Sequence, residues 1–243
     1  MSAPPQAMAM ILAAGRGERM RPLTDRTPKP LLEVQGKPLM QWPLEALAAG
    51  GFTDVVVNTA WLGEQIEDRF GARHGASTLH YSHEGVDFGG ALETAGGIVR
   101  ALPALHDVFW VVAGDVFAPA FKFTQKAVDR FIDSGRLAHL WLVPNPEHNR
   151  NGDFGIGADG LAEAESQQKH TFSTIALYRA AFFAPPFCTI PAGNTEGTKA
   201  ALAPLLRAGM RAGVVSAELY AGPWTDVGTP DRLTTLNNEK RPA

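Results

Sequence analysis

Apolar residues in this chain fall into short, dense runs separated by stretches in which they recur every three or four positions. The runs Ala9–Ala13, Asp54–Asn58, Phe109–Ala113 and Leu137–Val143 are mostly apolar at successive positions, as in strands covered on both faces. The first run extends from Met8 to Ala14 at its widest. Between the runs, Leu39–Ala49, Leu62–Phe70, Thr94–Leu102 and Phe123–Ser134 carry helical spacing. Strands alternating with helices predict an α/β fold: a Rossmann-like mixed, mainly parallel sheet with helices on both faces. Ligands of such sheets lie beyond the carboxyl ends of the strands.

The second half has a different rhythm. Asp153–Ala164 carries Gly-Ala-Asp-Gly between short apolar pieces and reads as a hairpin. Thr171–Tyr178 and Val214–Tyr220 read as strands and Ala201–Ala212 as a helix. Pro185, Pro186, Pro191, Gly193 and Asn194 mark an irregular loop. Pro230 opens a last helix that runs to about Asn238, with Thr229 placed to cap it. Residues 1–7, with two prolines, read as a disordered tail. Residues 8–240 read as a single domain, with a first half of about 8–120 and a second of about 121–240.

Composition narrows this picture without changing it. The chain has 243 residues, 45% hydrophobic and 19% charged, enough for one large core. A net charge of -3 with no basic stripe argues against nucleic acid. Cys188 is the sole cysteine, so no internal disulfide forms; it reads as a small buried apolar residue in a reducing compartment. No signal sequence or membrane-spanning run is visible, and a soluble cytoplasmic protein is expected.

Candidate chemistry concentrates in Leu12-Ala13-Ala14-Gly15-Arg16-Gly17-Glu18-Arg19-Met20-Arg21-Pro22-Leu23-Thr24, followed by Pro28-Lys29-Pro30-Leu31. A buried strand ends in a glycine-rich loop bearing cations, a combination suited to an anionic ligand. It is not a dinucleotide fingerprint, because Met20 stands where the third glycine belongs. Nor is there a P-loop, because Gly36-Lys37 is followed by Pro38. A solvated turn with scattered basic residues is the alternative. Pro28 and Pro30 restrict the backbone on either side of Lys29. Gly114-Asp115 follows a strand and puts a carboxylate at the same sheet edge, unless Asp115 is a simple turn or cap residue. Neither Asp115 nor Asp226 has His or Cys at zinc-ligand spacing, which disfavours Zn2+.

L-A-A-G-x-G-x-R-M-x-P-L-T followed by P-K-P-L resembles the signature of the sugar-1-phosphate nucleotidyltransferases. The resemblance continues through Glu93-Thr94-Ala95-Gly96-Gly97, Gly114-Asp115-Val116 and Trp224-Thr225-Asp226-Val227-Gly228-Thr229-Pro230, and so covers nearly the whole chain. It implies transfer of a nucleotide from a nucleoside triphosphate to a sugar 1-phosphate, with release of pyrophosphate. It implies Mg2+ held by Asp115 and Asp226, with Arg19 and Lys29 neutralising the triphosphate beside Asp115. Leu12, Ala13, Ala14, Gly15 and Gly17 would meet the nucleotide through backbone groups. Glu93 and Thr94 would lie across the base, with Gly96 and Gly97 giving room; Thr94 also reads as a helix cap. Arg16 and Arg21 read instead as solvated or paired with Glu18 or Asp25.

Asn145-Pro146, Gly152-Asp153-Phe154, Thr171-Phe172-Ser173 and Leu202-Ala203-Pro204-Leu205-Leu206 resemble the acceptor segments of N-acetylmuramate 1-phosphate uridylyltransferases. UTP and N-acetylmuramate 1-phosphate, in peptidoglycan recycling, are therefore the expected substrates. Asp153 would bond sugar hydroxyls and Lys199 would reach the sugar phosphate; a turn or surface role is the other reading of each. Two features depart from that subfamily. Ala113 stands where an Asn usually precedes Gly-Asp, and the loop Val86–Ala91 is longer. Mannose- or heptose-1-phosphate guanylyltransferase and glucose-1-phosphate thymidylyltransferase are close alternatives. A non-catalytic nucleotide-sugar sensor is a more distant one, against which the presence of Lys29, Asp115 and Asp226 counts.

Overall fold

The computed structural model describes residues 7–239, so the expected N-terminal tail, apart from Ala7, lies outside the described residues. Eight strands form one sheet: β1 (Met8–Leu12), β2 (Asp54–Thr59), β3 (Arg73–His74), β4 (Ser77–His83), β5 (Val108–Ala113), β6 (Ala138–Val143), β7 (Thr171–Arg179) and β8 (Val215–Leu219). Across the sheet they run β8-β6-β7-β5-β1-β2-β4-β3. β7 is antiparallel to both its neighbours and β3 is antiparallel to β4; the remaining pairs are parallel. The mixed, mainly parallel sheet is as expected. Leu12 pairs with Asn58 on one side and Ala113 on the other, so β1, β2 and β5 end level.

Among the described residues, seven α-helices accompany the sheet: α1 (Gln41–Ala49), α2 (Gly63–Phe70), α3 (Glu84–Phe88), α4 (Glu93–Ala101), α5 (Gln125–Asp133), α6 (Leu202–Arg211) and α7 (Pro230–Asn238). The central strands alternate between two cores. Ile11, Val57 and Trp110 pack with α1, α2 and α5 through Leu44, Ile66 and Val128. Met10, Val56 and Phe109 pack with α4 and α6 through Ile98 and Leu206. Both strand faces are thus dry, which is why the strands read as unbroken apolar runs. Cys188 is buried in the second core. A third, smaller cluster joins Met20, Leu39, Phe117, Val227 and Leu236, and so ties the glycine-rich loop to α7.

Two local expectations are corrected and one strand is added. Thr94 does not cap α4: the helix starts at Glu93 after Leu92, and its first N–H groups are met by the Ala200 carbonyl, which accepts from Ala95 at 2.9 Å and Gly96 at 3.1 Å. Part of the long loop Val86–Ala91 is helical, because Glu84–Phe88 forms α3, ended by Gly89 in the left-handed region and held to α4 by an Arg100–Asp87 ion pair of 2.7 Å. β4 escaped the reading because Ser-Thr-Leu-His-Tyr-Ser-His has no apolar run; the strand lies near the sheet's edge, where one face meets water. No described helix is long and apolar enough to cross a membrane.

Candidate active site

The glycine-rich loop is braced from within. Gly17 has φ +67°, and a Cβ there would stand 3.0 Å from Thr24 Cγ2, so glycine is required. Thr24 Oγ1 donates to the Gly17 carbonyl at 2.8 Å. Arg16 donates to the Thr24 carbonyl at 2.8 Å, pairs with Asp25 at 2.7 Å and lies 3.8 Å from the Trp61 ring centre. Arg21 pairs with Asp25 at 2.8 Å. The Arg16 hydrogen bond holds the Asp25 carboxyl below its ordinary pKa. Arg16 and Arg21 are therefore structural ties, as their pairing predicted. Arg19 is exposed and makes no ion pair or hydrogen bond among the described residues.

A short ladder brings the two candidate metal ligands together. Gly114 follows β5 and donates to the Leu12 carbonyl at 2.8 Å. Val116–Phe117 then pairs antiparallel with Thr225–Asp226, with Asp226 opposite Val116. Val227 donates to the Asp115 carbonyl at 3.0 Å. Lys29, on a single 3-10 turn between its prolines, forms an ion pair with Asp115 Oδ2. Arg232 donates to Asp226 Oδ2 at 2.6 Å. Thr229 accepts from the Arg232 N–H at 3.4 Å, capping α7 as expected and fixing where Arg232 begins. A Cβ on Gly228 would stand 3.0 Å from Arg232 Nη1 and 3.2 Å from both Arg19 Nη2 and Asp226 Oδ2, so glycine leaves room for these side chains.

Asp226 Oδ1 is buried and accepts no hydrogen bond; His148 Nε2 lies 2.9 Å away as an ion-pair contact without hydrogen-bond alignment. An acceptor left unmet in this way is suited to a cation. Among the described residues, no group of three or more His, Cys, Asp or Glu is arranged to hold a metal. Two carboxylates from adjacent ladder strands fit a hard divalent ion that takes its other ligands from phosphate and water.

Toward β2 lies a network that sequence patterning did not reveal. Ala13 N–H donates to Asn58 Oδ1 at 2.8 Å, and Asn58 Nδ2 donates to Glu84 Oε1 at 2.7 Å. The Leu92 N–H donates to Glu84 Oε2 at 2.7 Å. Glu84 is fully buried, and burial raises its carboxyl pKa. Gly97 makes room for this pair: a Cβ there would meet Glu84 Oε1 at 2.5 Å. Gly96 packs on the chain behind the wall, where a Cβ would meet the Thr198 carbonyl at 2.7 Å. Glu93, next to the clamped Leu92, has φ +60°, strained for a residue with a side chain.

These segments enclose a cleft of about 670 Å³. Leu12, Ala13, Ala14, Gly15, Lys29, Glu93, Thr94, Ala113, Asp115 and Asp153 line it; Gly17, Arg19, Gly96, Lys199 and Asp226 do not. Lys199 is exposed on the loop before α6. Asp153 Oδ2 accepts from the Phe172 N–H at 2.8 Å and from Asn149 at 3.2 Å, so one of its oxygens holds backbone. The remaining wall comes from β7 and α6, including Phe172, Thr174, Tyr178, Leu206 and Arg207. Thr174 has φ +60° where the β6–β7 register shifts between Phe172 and Ile175. Glu84, Asn58, His148, Thr174 and Arg232 were not singled out from sequence. Asn58, Glu84 and His148 act through partners that no local spacing announces, and neither the φ of Thr174 nor the reach of Arg232 back to Asp226 shows in the residue pattern.

Residues 8–241 match the nucleotidyl transferase family. The chain is 48% identical over 235 residues to N-acetylmuramate alpha-1-phosphate uridylyltransferase of Neisseria meningitidis serogroup B, covering 93% of this chain and 94% of that protein. It is 36% identical over 163 residues to the protein of the same name from Caulobacter vibrioides, covering 63% and 66%. Among solved structures, a glucose-1-phosphate thymidylyltransferase assignment from Bacillus anthracis superposes with a TM-score of 0.77 at 21% identity, over 95% of this chain and 93% of that one. With a phosphate-suited loop, a paired-aspartate edge and this match along its length, the chain belongs to the nucleotidyl transferase family.

Proposed function

We propose that the protein is a uridylyltransferase that joins UTP to N-acetylmuramate 1-phosphate, giving the UDP-sugar and pyrophosphate. The observation that carries the reading is Lys29 paired with Asp115 in the lining of the cleft, at the level ends of β1 and β5, with Asp226 on the ladder strand alongside. The extensive identity with a relative of that name supports the substrate pair.

A phosphate oxygen of the sugar attacks the α-phosphorus of UTP; the new P–O bond forms as the bond to pyrophosphate breaks. Lys29 and Arg19 bring positive charge to the triphosphate, where negative charge shifts toward the leaving group. Mg2+ held by Asp115 and Asp226 would supply further charge neutralisation and fix the phosphates in line. Backbone from Leu12 to Gly15 and the turn at Glu93 and Thr94 receive the nucleotide. Asp153 offers its remaining oxygen to sugar hydroxyls, beside Ala113; Lys199 reaches the sugar phosphate only if its loop closes inward. On this reading residues 8–120 form the nucleotide half of a single domain and 121–240 the sugar half. The protein acts in the cytoplasm, where UTP is made, and returns muramic acid to cell-wall synthesis.

Pyrophosphate release across four nucleoside triphosphates and a panel of sugar 1-phosphates tests the proposal. UTP with N-acetylmuramate 1-phosphate should be fastest. Faster turnover of GTP with mannose 1-phosphate, or of dTTP with glucose 1-phosphate, would transfer the assignment to those activities. Tight binding without turnover would favour a sensor.

A further inference from the structure

The cleft wall built by β7 and α6 carries chemistry that nucleotidyl transfer alone does not use. Lys29 and Arg207 are the two cations lining the cleft. Lys29 is paired with Asp115, whereas Arg207 lies exposed at the cleft mouth and makes no ion pair or hydrogen bond among the described residues. Its guanidinium lies 5.9 Å from the Phe154 ring centre, and Phe154 in turn packs with Phe172. Arg207 stands one helical turn beyond Ala203, so both present to the cleft with Leu206. Tyr178, behind the same wall, is fully buried with a hydroxyl that has no hydrogen-bond partner. An unpaired guanidinium, apolar rings and one unmet hydroxyl together describe a site for an anion attached to apolar groups.

The phosphates of both substrates do not meet that description. They must converge on the α-phosphorus, which the proposed reaction puts beside Lys29 and Asp115. A cation on a separate wall calls for a second anion on the acceptor. N-acetylmuramate differs from N-acetylglucosamine by a lactyl ether, a short alkyl arm ending in a carboxylate.

We propose that the α6 wall is the subsite for this arm: Arg207 pairs with the carboxylate, while Phe154, Phe172 and Leu206 receive its alkyl part. The inference rests on the acceptor proposed above and adds the residue that selects it.

Steady-state kinetics with UTP and Mg2+ on two acceptors, N-acetylmuramate 1-phosphate and N-acetylglucosamine 1-phosphate, test it in the wild type, Arg207→Ala and Arg207→Lys. Arg207→Ala should raise KM for the acidic acceptor at least about tenfold, leave kcat within about twofold, and leave KM for the neutral acceptor unchanged. Arg207→Lys should restore part of the loss, and the melting temperature of both variants should stay at the wild-type value. Equal losses on the two acceptors would assign Arg207 to their common phosphate and overturn the proposal. If the wild type prefers the acidic acceptor and Arg207→Ala keeps that preference, the subsite fails while the acceptor reading stands. If the wild type uses the neutral acceptor equally well, both fall.

Discussion

The proposed phosphate end of the cleft and the proposed acceptor wall are made in different ways. At the phosphate end, the proposed functional side chains sit in loops and short turns, fixed by flanking prolines, an ion pair or strand register. Lys29 stands between two prolines, and Asp115 follows β5 by one glycine. The acceptor wall instead combines an antiparallel strand with a register shift, a helix face and a hairpin, drawn from Asp153 to Arg207. The first arrangement suits chemistry common to every acceptor. The second allows one acceptor to be exchanged for another without touching the reacting atoms.

Substitution of the aspartates should give the largest effect. Asp115→Asn and Asp226→Asn should each lower turnover at least about a hundredfold, roughly 2.7 kcal/mol of transition-state stabilisation, for every acceptor tested. Measured at subsaturating Mg2+, a near-normal rate in either variant would remove that residue from the reacting end.

Glu84 sharpens the comparison from the stability side. Glu84→Ala strands the Asn58 amide and the Leu92 N–H in a dry site, and should cost at least about 2 kcal/mol in urea unfolding. The wild type should also show a pH signature. Because the folded protein holds a proton on Glu84 to a higher pH than the unfolded chain does, stability should fall as pH rises from the ordinary carboxylate value through the raised one. Glu84→Gln should lack that slope, and its persistence would locate the titration elsewhere.

A smaller effect separates chemistry from acceptor binding. Lys29→Ala should reduce kcat about tenfold, some 1.4 kcal/mol, with little change in the KM of the sugar phosphate. A rise in that KM alone would move Lys29 to the acceptor side. Smallest of all should be Tyr178→Phe on stability. Its hydroxyl already lacks a partner, so unfolding free energy should stay within about 0.5 kcal/mol or rise; a larger loss would mean that the hydroxyl is paired in solution.

The same contrast explains what could be read from the sequence. The parallel core was legible because strands dry on both faces are apolar at every position, and the phosphate end because its glycines, prolines and cations lie within a single stretch of chain. The ladder joining Asp115 to Asp226 links residues more than a hundred positions apart, and only resemblance to a family suggested their meeting. The Ala13–Asn58–Glu84–Leu92 network was invisible, since an isolated Asn and Glu carry no mark of burial. Thr94 misled for a related reason: a good capping residue stood at a helix start whose N–H groups are met by a distant carbonyl. Arg207 lies one residue past the Leu202–Leu206 acceptor motif, and nothing local marked it as a cation without a partner.

Phosphorus NMR of the purified protein with UTP, N-acetylmuramate 1-phosphate and Mg2+ shows directly whether this cleft transfers a uridylyl group. The UTP triphosphate and sugar-phosphate signals should be lost, and UDP-sugar diphosphate and pyrophosphate should grow in equal amounts. Unchanged spectra with this pair, alongside conversion of another nucleoside triphosphate and sugar 1-phosphate under the same conditions, would contradict that transfer.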